Sequence, residues 1–290
     1  MKPAAFDYIA PHSLAEVLSS LHSYGYDAKP LAGGQSLVPV MNFRLAQPGV
    51  LIDLNGVAGL DHLHQTADAT ILFGCMVRQS RLERDPLVAA QLPLLHEVMP
   101  HIAHAQIRNR GTFGGSLAHA DPAAELPVIT VALNGRLHLQ STTSDRWVSA
   151  ADFFTGLFTT DCAPEELLTE IAIPALPPHT GAAFAEVARR HGDYALSGVT
   201  AVITTNAQGV CTAARLVYLN AGEQPIVATH AAQLLTGHPY SAELATAVAH
   251  TAQQEIDPTS DIHATADFKR HLATVLTQQT IQQAFARAAL

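Results

Sequence analysis

The chain has 290 residues, 48% of them apolar and only 14% charged, enough apolar material for one large domain or two to three smaller ones. That composition excludes a disordered chain, and a formal charge of −9 argues against a protein that neutralises nucleic-acid phosphates. Three scattered cysteines, Cys75, Cys162 and Cys211, form neither a disulfide framework nor the set of about four thiolates that an iron–sulfur cluster needs.

The N-terminus lacks the continuous apolar stretch of a secretory signal. The most apolar run, 126–133, contains Pro127 and is far shorter than a membrane span, so a cytoplasmic protein is expected. Ser13, with Glu16 three residues later, opens a predicted helix over 13–23 with Leu14, Val17, Leu18 and Leu21 on one face. A short strand over 28–32 ends at Gly33 and Gly34; 36–45 reads as helix and 50–54 as strand. This βαβ-like block closes at the turn dipeptide Asn55-Gly56.

Residues 70–74 read as a strand, 79–104 as two helices separated near Pro93, and 126–140 as a helix turn passing into a strand. The proline-rich stretch 171–181 is the clearest boundary. Beyond it, β-favouring runs at 182–190, 198–205 and 211–219 predict an antiparallel sheet of about three strands. Helices follow over 228–235, 241–254 and 267–289. The fold class is α+β, with units 1–56, 57–176 and 177–290.

Two glycine-rich segments concentrate the chemistry. Ala32-Gly33-Gly34-Gln35-Ser36 lies directly after a strand and before a helix, and Gly111-Thr112-Phe113-Gly114-Gly115-Ser116 has the same ingredients. Glycine lets a ligand approach the backbone closely. Amides that open a helix have no intrahelical partner and sit at the positive end of its dipole, where a phosphate or pyrophosphate fits. Two such loops could clamp a dinucleotide, although a single glycine pair is a turn far more often than a site. Neither loop is a Walker A motif, a G-x-G-x-x-G fingerprint or a nucleophile elbow.

Sixteen histidines invite a metal reading, but His62/His64 and His101/His104 do not supply three or four converging ligands, so no metal site is expected. Phe153, Phe154 and Phe158 read as core, and Glu165-Glu166 as a solvated turn or helix start.

Several ordered motifs then carry a resemblance across essentially the whole chain. They are LAGGQSLVPVMNFRLAQP at 31–48, QIRNRGTFGGSLAHADPAAELP at 106–127, ADFFTGLF at 151–158, ELLTEIAIP at 166–174, ARRHGDYAL at 188–196 and SDIHATADFKRHLATVLT at 260–277. The chain resembles the FAD-binding medium subunit of the xanthine dehydrogenase and carbon monoxide dehydrogenase family of molybdenum hydroxylases. The stretch IAHAQIRNRG at 102–111 is also similar to subunits of N-heterocycle hydroxylases.

The resemblance implies a two-subdomain FAD-binding fold of the vanillyl-alcohol-oxidase-like (PCMH) type, 1–56 and 57–176, followed by a C-terminal flavin-subunit domain. Lys29, Leu31, Ala32, Gly33, Gly34, Gln35, Ser36 and Leu37 would hold one side of the pyrophosphate. Gly111, Thr112, Phe113, Gly114, Gly115 and Ser116 would hold the other, with the two hydroxyls as extra donors. Arg108 and Arg110 look like phosphate ligands or structural arginines. Ile102 and Leu167 match apolar contacts, Glu125 an acid that touches the cofactor, and Asp193-Tyr194 a segment whose aromatic ring lies beside the flavin.

Relatives often carry a lysine near 185–186, where this chain has Ala185 and Glu186. No side chain is expected to be catalytic. The resemblance implies a molybdopterin-binding large subunit that oxidises the substrate and a small subunit with [2Fe–2S] clusters that passes electrons to FAD here. The assembly implied is a heterotrimer or a dimer of heterotrimers. A self-sufficient FAD oxidase or reductase of the same fold, and a non-redox nucleotide-binding module, are the alternatives.

Overall fold

The computed structural model describes residues 2–289. The chain begins with β1 (Asp7–Ile9), α1 (Leu14–Tyr24), β2 (Ala28–Leu31), α2 (Leu37–Asn42) and β3 (Val50–Asp53). The strands form a parallel sheet in the order β1-β3-β2. Ser13 and Glu16 close a capping box at the start of α1, whose Val17 and Leu21 are buried. Helix α2 is shorter than the sequence predicts, because Arg44 adopts a left-handed conformation (φ 59°) just after it. Strand β1 was not anticipated: it is three residues long and largely exposed, with no apolar alternation to reveal it.

The chain continues through β4 (Leu63–Gln65), β5 (Ile71–Gly74), α3 (Gln79–Leu82), α4 (Pro86–Gln91), α5 (Pro93–Val98), α6 (Ala105–Arg108), α7 (Phe113–His119) and α8 (Glu125–Ala132). Then come β6 (Arg136–Gln140), β7 (Asp145–Ser149), α9 (Ala150–Phe153), β8 (Phe154–Gly156), β9 (Thr159–Thr160) and β10 (Leu167–Ile173). The five-stranded sheet runs β4-β5-β10-β6-β7, antiparallel throughout.

Its central strand, β10, escapes a sequence reading because it is buried on both faces and shows no period of two. The two helices expected over 79–104 are instead three short ones and a 3₁₀ turn at Met99–His101. Prolines at the first positions of α4 and α5 each start a new helix, and Asp85 caps the former through the Leu87 amide at 2.9 Å. Phe153 and Phe154 are core, whereas Phe158 is 52% exposed at the tip of the β8–β9 hairpin. Glu166 is buried and ion-paired to Arg146 at 2.7 Å, not solvated.

The last third holds β11 (Thr180–Ala188), β12 (Ala195–Thr205), β13 (Cys211–Leu219), β14 (Ile226–Val227), α10 (Thr229–Gln233), α11 (Ala242–Glu255) and α12 (Ala266–Ala288). The antiparallel sheet has four strands rather than three, the fourth a two-residue pairing of β14 with β13. Its alternating side chains serve two cores. Ala182, Val217 and Leu219 join the large core of residues 17–173; Ala183, Leu216 and Tyr218 face the core closed by α11 and α12. Gly181 permits the close seat of α12, since a Cβ there would lie 1.9 Å from the Ala284 carbonyl oxygen. Among the described residues no helix is long and apolar enough to cross a membrane.

Candidate cofactor site

The two glycine segments, about 80 residues apart in sequence, lie against each other. A Cβ on Gly33 would fall 2.5 Å from the Arg110 carbonyl oxygen and 2.8 Å from Gly111 Cα, so only glycine allows this approach. One on Gly115 would meet Ala32 at 3.4 Å. Gly34 turns the first loop at φ 72°, and the Gln35 side-chain amide donates back to the Gly33 carbonyl at 3.0 Å.

The loops differ in what they can offer a ligand. Among the described residues, the amides from Gly33 to Leu37 have no acceptor within the chain, and the Ser36 hydroxyl does not cap α2. A run of free, half-buried donors at the mouth of a helix suits an anion. The second loop corrects the expectation that its amides do the same. Phe113 donates to the Val77 carbonyl and Gly114 to the Cys75 carbonyl, each at 2.9 Å, while Gly115 donates to the Thr112 hydroxyl at 3.0 Å and Ser116 to the Thr112 carbonyl.

Helix α7 thus starts at Phe113, inside the motif, and is fastened to 75–77. What remains toward a ligand is the Thr112 amide, the proton of its hydroxyl, and the Ser116 hydroxyl. Gly114 serves packing: a Cβ there would sit 2.5 Å from that of Cys75.

Two residues that no local pattern reveals join the loops. Asn55 donates its side-chain amide to the Ala32 carbonyl at 3.0 Å, and Arg78 donates to both the Asn55 side-chain oxygen and the Arg110 carbonyl. Asn55 is held in turn by Asp53, which also accepts from Tyr8. Burial works to raise the Asp53 carboxyl, but these hydrogen bonds and the nearby Arg110 charge hold it below the usual range. A cavity of about 350 Å³ opens beside this bridge, lined among others by Asn55, Asp61, Arg78 and Arg81.

Arg108 is structural: it is buried, forms a bidentate pair with Glu83 at 2.8 and 2.9 Å, and donates to the Ile102 and Ala103 carbonyls. Arg110 is exposed beside the clamp, and Lys29 is exposed on β2. Leu167 is buried in the large core and Ile102 lies at its edge.

A second group gathers around the β11–β12 turn and the start of α8. Gly192, in the β11–β12 turn, approaches the Ala103 carbonyl and the His104 ring so closely that a Cβ would lie 2.9 Å from each. That contact brings Tyr194 toward Asp121 and Glu125. Tyr194 is 64% exposed, and partial desolvation followed by those two charges raises its phenol. Asp193 is engaged by Arg189 and Arg190 at 3.2 and 3.1 Å, which leaves it shaping the turn.

Glu125 is buried; desolvation first, and the Glu186 charge second, push its carboxyl up to about 8. Glu186, which motif reading marked only as a missing lysine, pairs with His101 at 3.1 Å. Among the described residues no cluster of three or more His, Cys, Asp or Glu side chains could hold a metal.

Known proteins share this fold. Residues 4–176 match the FAD-binding domain in molybdopterin dehydrogenase, and residues 182–284 the C-terminal domain of the carbon monoxide dehydrogenase flavoprotein. The nicotine 6-hydroxylase medium subunit of Paenarthrobacter nicotinovorans is 40% identical over 99% of this chain and 100% of that protein. The carbon monoxide dehydrogenase of Hydrogenophaga pseudoflava lacking the Mo-pyranopterin moiety superposes with a TM-score of 0.96 at 35% identity, covering 99% of both chains. Quinoline 2-oxidoreductase from Pseudomonas putida 86 gives 0.94 at 40% identity, with both chains fully covered. The chain belongs to the FAD-binding flavoprotein family of molybdopterin-dependent dehydrogenases and hydroxylases, oxidoreductases of the xanthine dehydrogenase and carbon monoxide dehydrogenase type.

Proposed function

We propose that this chain holds FAD in an extended form and relays electrons through it within a three-subunit molybdenum hydroxylase. The observation that carries this reading is the run of acceptor-free amides from Gly33 to Leu37, set against the Thr112 and Ser116 hydroxyls across a glycine-only contact. These donors match two adjacent phosphates, so the residues present fit the group. Lys29, Leu31 and Ala32 lead the backbone into the clamp. Ile102 and Leu167 back the nucleotide from the core side, and Tyr194 meets the ring. Residues 1–56 and 57–176 form the two halves of a PCMH-type grip, and 177–290 the flavin-subunit domain.

Bound FAD supplies a carrier that accepts electrons and passes them on. The protein's part is to fix the pyrophosphate, exclude water from the Glu125 side and leave the Tyr194 side open. Substrate oxidation is assigned to a molybdopterin-binding large subunit, and delivery of electrons to a small [2Fe–2S] subunit, in the cytoplasm. Because nicotine and quinoline each carry a nitrogen heteroaromatic ring, we assign that substrate class to the large subunit. The test is flavin content. The purified chain should carry or take up FAD at one per chain, and Gly33→Val, which drives a side chain into the Arg110 carbonyl, should lose it. Full flavin occupancy in that variant would contradict the clamp.

A further inference from the structure

Strands β12 and β13 pair from Thr205 and Cys211 as far as Gly198 and Leu219, and there the ladder stops. The next residue, Asn220, turns left-handed at φ 52°, a conformation that asparagine and glycine adopt more readily than other residues. Its backbone amide leaves the sheet and donates to the Pro122 carbonyl at 2.8 Å, in the loop between α7 and α8. Its side chain takes over where the ladder ends: Nδ2 donates to the Ala195 carbonyl at 2.8 Å and to the Leu196 carbonyl at 3.3 Å. One residue thus ties the start of β12, immediately after Tyr194, to the loop that leads into α8.

The motif at 260–277 decides which way that amide faces. Lys269, from α12, is 1% exposed, and its ammonium lies 2.7 Å from Asp261 and 3.5 Å from the Asn220 side-chain oxygen. A buried cation on the oxygen side and two carbonyls on the nitrogen side leave the amide one orientation. The residue after it is held as well, since Asp257 donates its amide to the Ala221 carbonyl at 2.8 Å. Tyr194 lies between this anchor and Gly192, whose close seat on Ala103 and His104 fixes the other side of the turn. With 64% of its surface exposed, Tyr194 has little side-chain packing to aim it, so the backbone on either side sets its direction.

We propose that Asn220 is a positioning residue for the ring end of the cofactor site: by holding the Ala195 and Leu196 carbonyls, it keeps Tyr194 at one fixed approach to the flavin. The inference rests on the placement of the ring beside Tyr194 proposed above. Without the Asn220 donor the first residues of β12 are free to shift, and Tyr194 samples positions away from the ring. The fold itself keeps its frame, because β12 stays paired with β11 on one side and with β13 on the other.

The test is the fluorescence decay of FAD bound to the full-length chain. A tyrosine in contact with an isoalloxazine ring quenches its emission, whereas a phenylalanine does not, so the lifetime reports how closely Tyr194 stays. It is measured in wild type, Asn220→Gly, Asn220→Asp, Tyr194→Phe and the double variants that join Tyr194→Phe to each Asn220 change. Glycine accepts the same backbone turn without a side chain; aspartate keeps the turn and the contact with Lys269 but offers the two carbonyls no donor. Both should lengthen the mean lifetime at least about twofold, the population shift expected when a hydrogen bond is lost. Tyr194→Phe should lengthen it further, and either Asn220 change added to Tyr194→Phe should do nothing more.

A wild-type lifetime in either Asn220 variant, whatever its melting temperature, overturns the proposal and leaves Asn220 a structural residue. So does an equal lengthening in the Tyr194→Phe background, because Asn220 would then act by another route. A wild-type lifetime in Tyr194→Phe, or no binding of FAD by any form of the chain, contradicts the cofactor reading itself, and this proposal falls with it.

Discussion

Asn55 and Arg78 work on opposite halves of the clamp, the first on the Ala32 carbonyl and the second on the Arg110 carbonyl, and they are bonded to each other. Loss of either frees one loop from the other. Asn55→Ala or Arg78→Ala should weaken FAD binding about tenfold, the worth of one charge-assisted hydrogen bond, in a fluorescence titration. Gly114→Ala should behave otherwise. Its new methyl strikes Cys75 in the core, so the loss should appear as about 1–3 kcal/mol in denaturant unfolding, with FAD affinity per folded molecule unchanged.

Glu125 has a stability signature of its own. Its carboxyl is raised in the folded state, so the folded chain favours the protonated form. Stability is full below the unfolded value of about 4.3 and is lost as pH climbs through about 8. Glu125→Gln should therefore leave the melting temperature near pH 4 unchanged and raise it increasingly up to pH 8. Of these residues the sequence pointed to Glu125 and the glycines, because they lie in contiguous motifs. Arg78 and His101 act across 32 and 85 residues of chain on Arg110 and Glu186, and no local spacing encodes such contacts.

At the scale of elements, helices with explicit start signals were legible: Ser13 with Glu16 at α1, and the long C-terminal runs that became α11 and α12. Elements whose pattern is set by burial were not. Strand β10 is buried on both faces and β1 on neither, so a period of two appears in neither. The second glycine segment was legible as a site but not as to mechanism. Its amides are consumed by 75–77, a segment that gives no sign of its role in sequence.

Helix α12 offers a separate check. Its Lys269 is buried, with the ammonium 2.7 Å from Asp261. Asp261→Asn would leave that charge unpaired and should cost about 3 kcal/mol in equilibrium unfolding. Hydrogen bonding to Lys269 holds the Asp261 carboxyl down at about 2, so its contribution is present above the unfolded value and fades as pH falls toward 2.

At the scale of the molecule, the β11–β13 sheet has one face on the large core and the other on α11 and α12. The β11–β12 turn that carries Tyr194 is thereby fixed against the segment at Ala103 and His104. The C-terminal third is thus built into the candidate site, and the exposed Tyr194 marks where a ring could face outward. An electron relay needs such an open edge.

On the proposed function, electrons reach FAD on this chain only through partner subunits. The direct measurement is anaerobic bleaching of the flavin absorption after addition of a pyridine- or quinoline-type substrate, made on the FAD-loaded chain alone and on the complete assembly. The account predicts no bleaching by the chain alone and full bleaching in the assembly. Reduction of the flavin in the isolated chain would contradict it and make this protein a self-sufficient flavoenzyme.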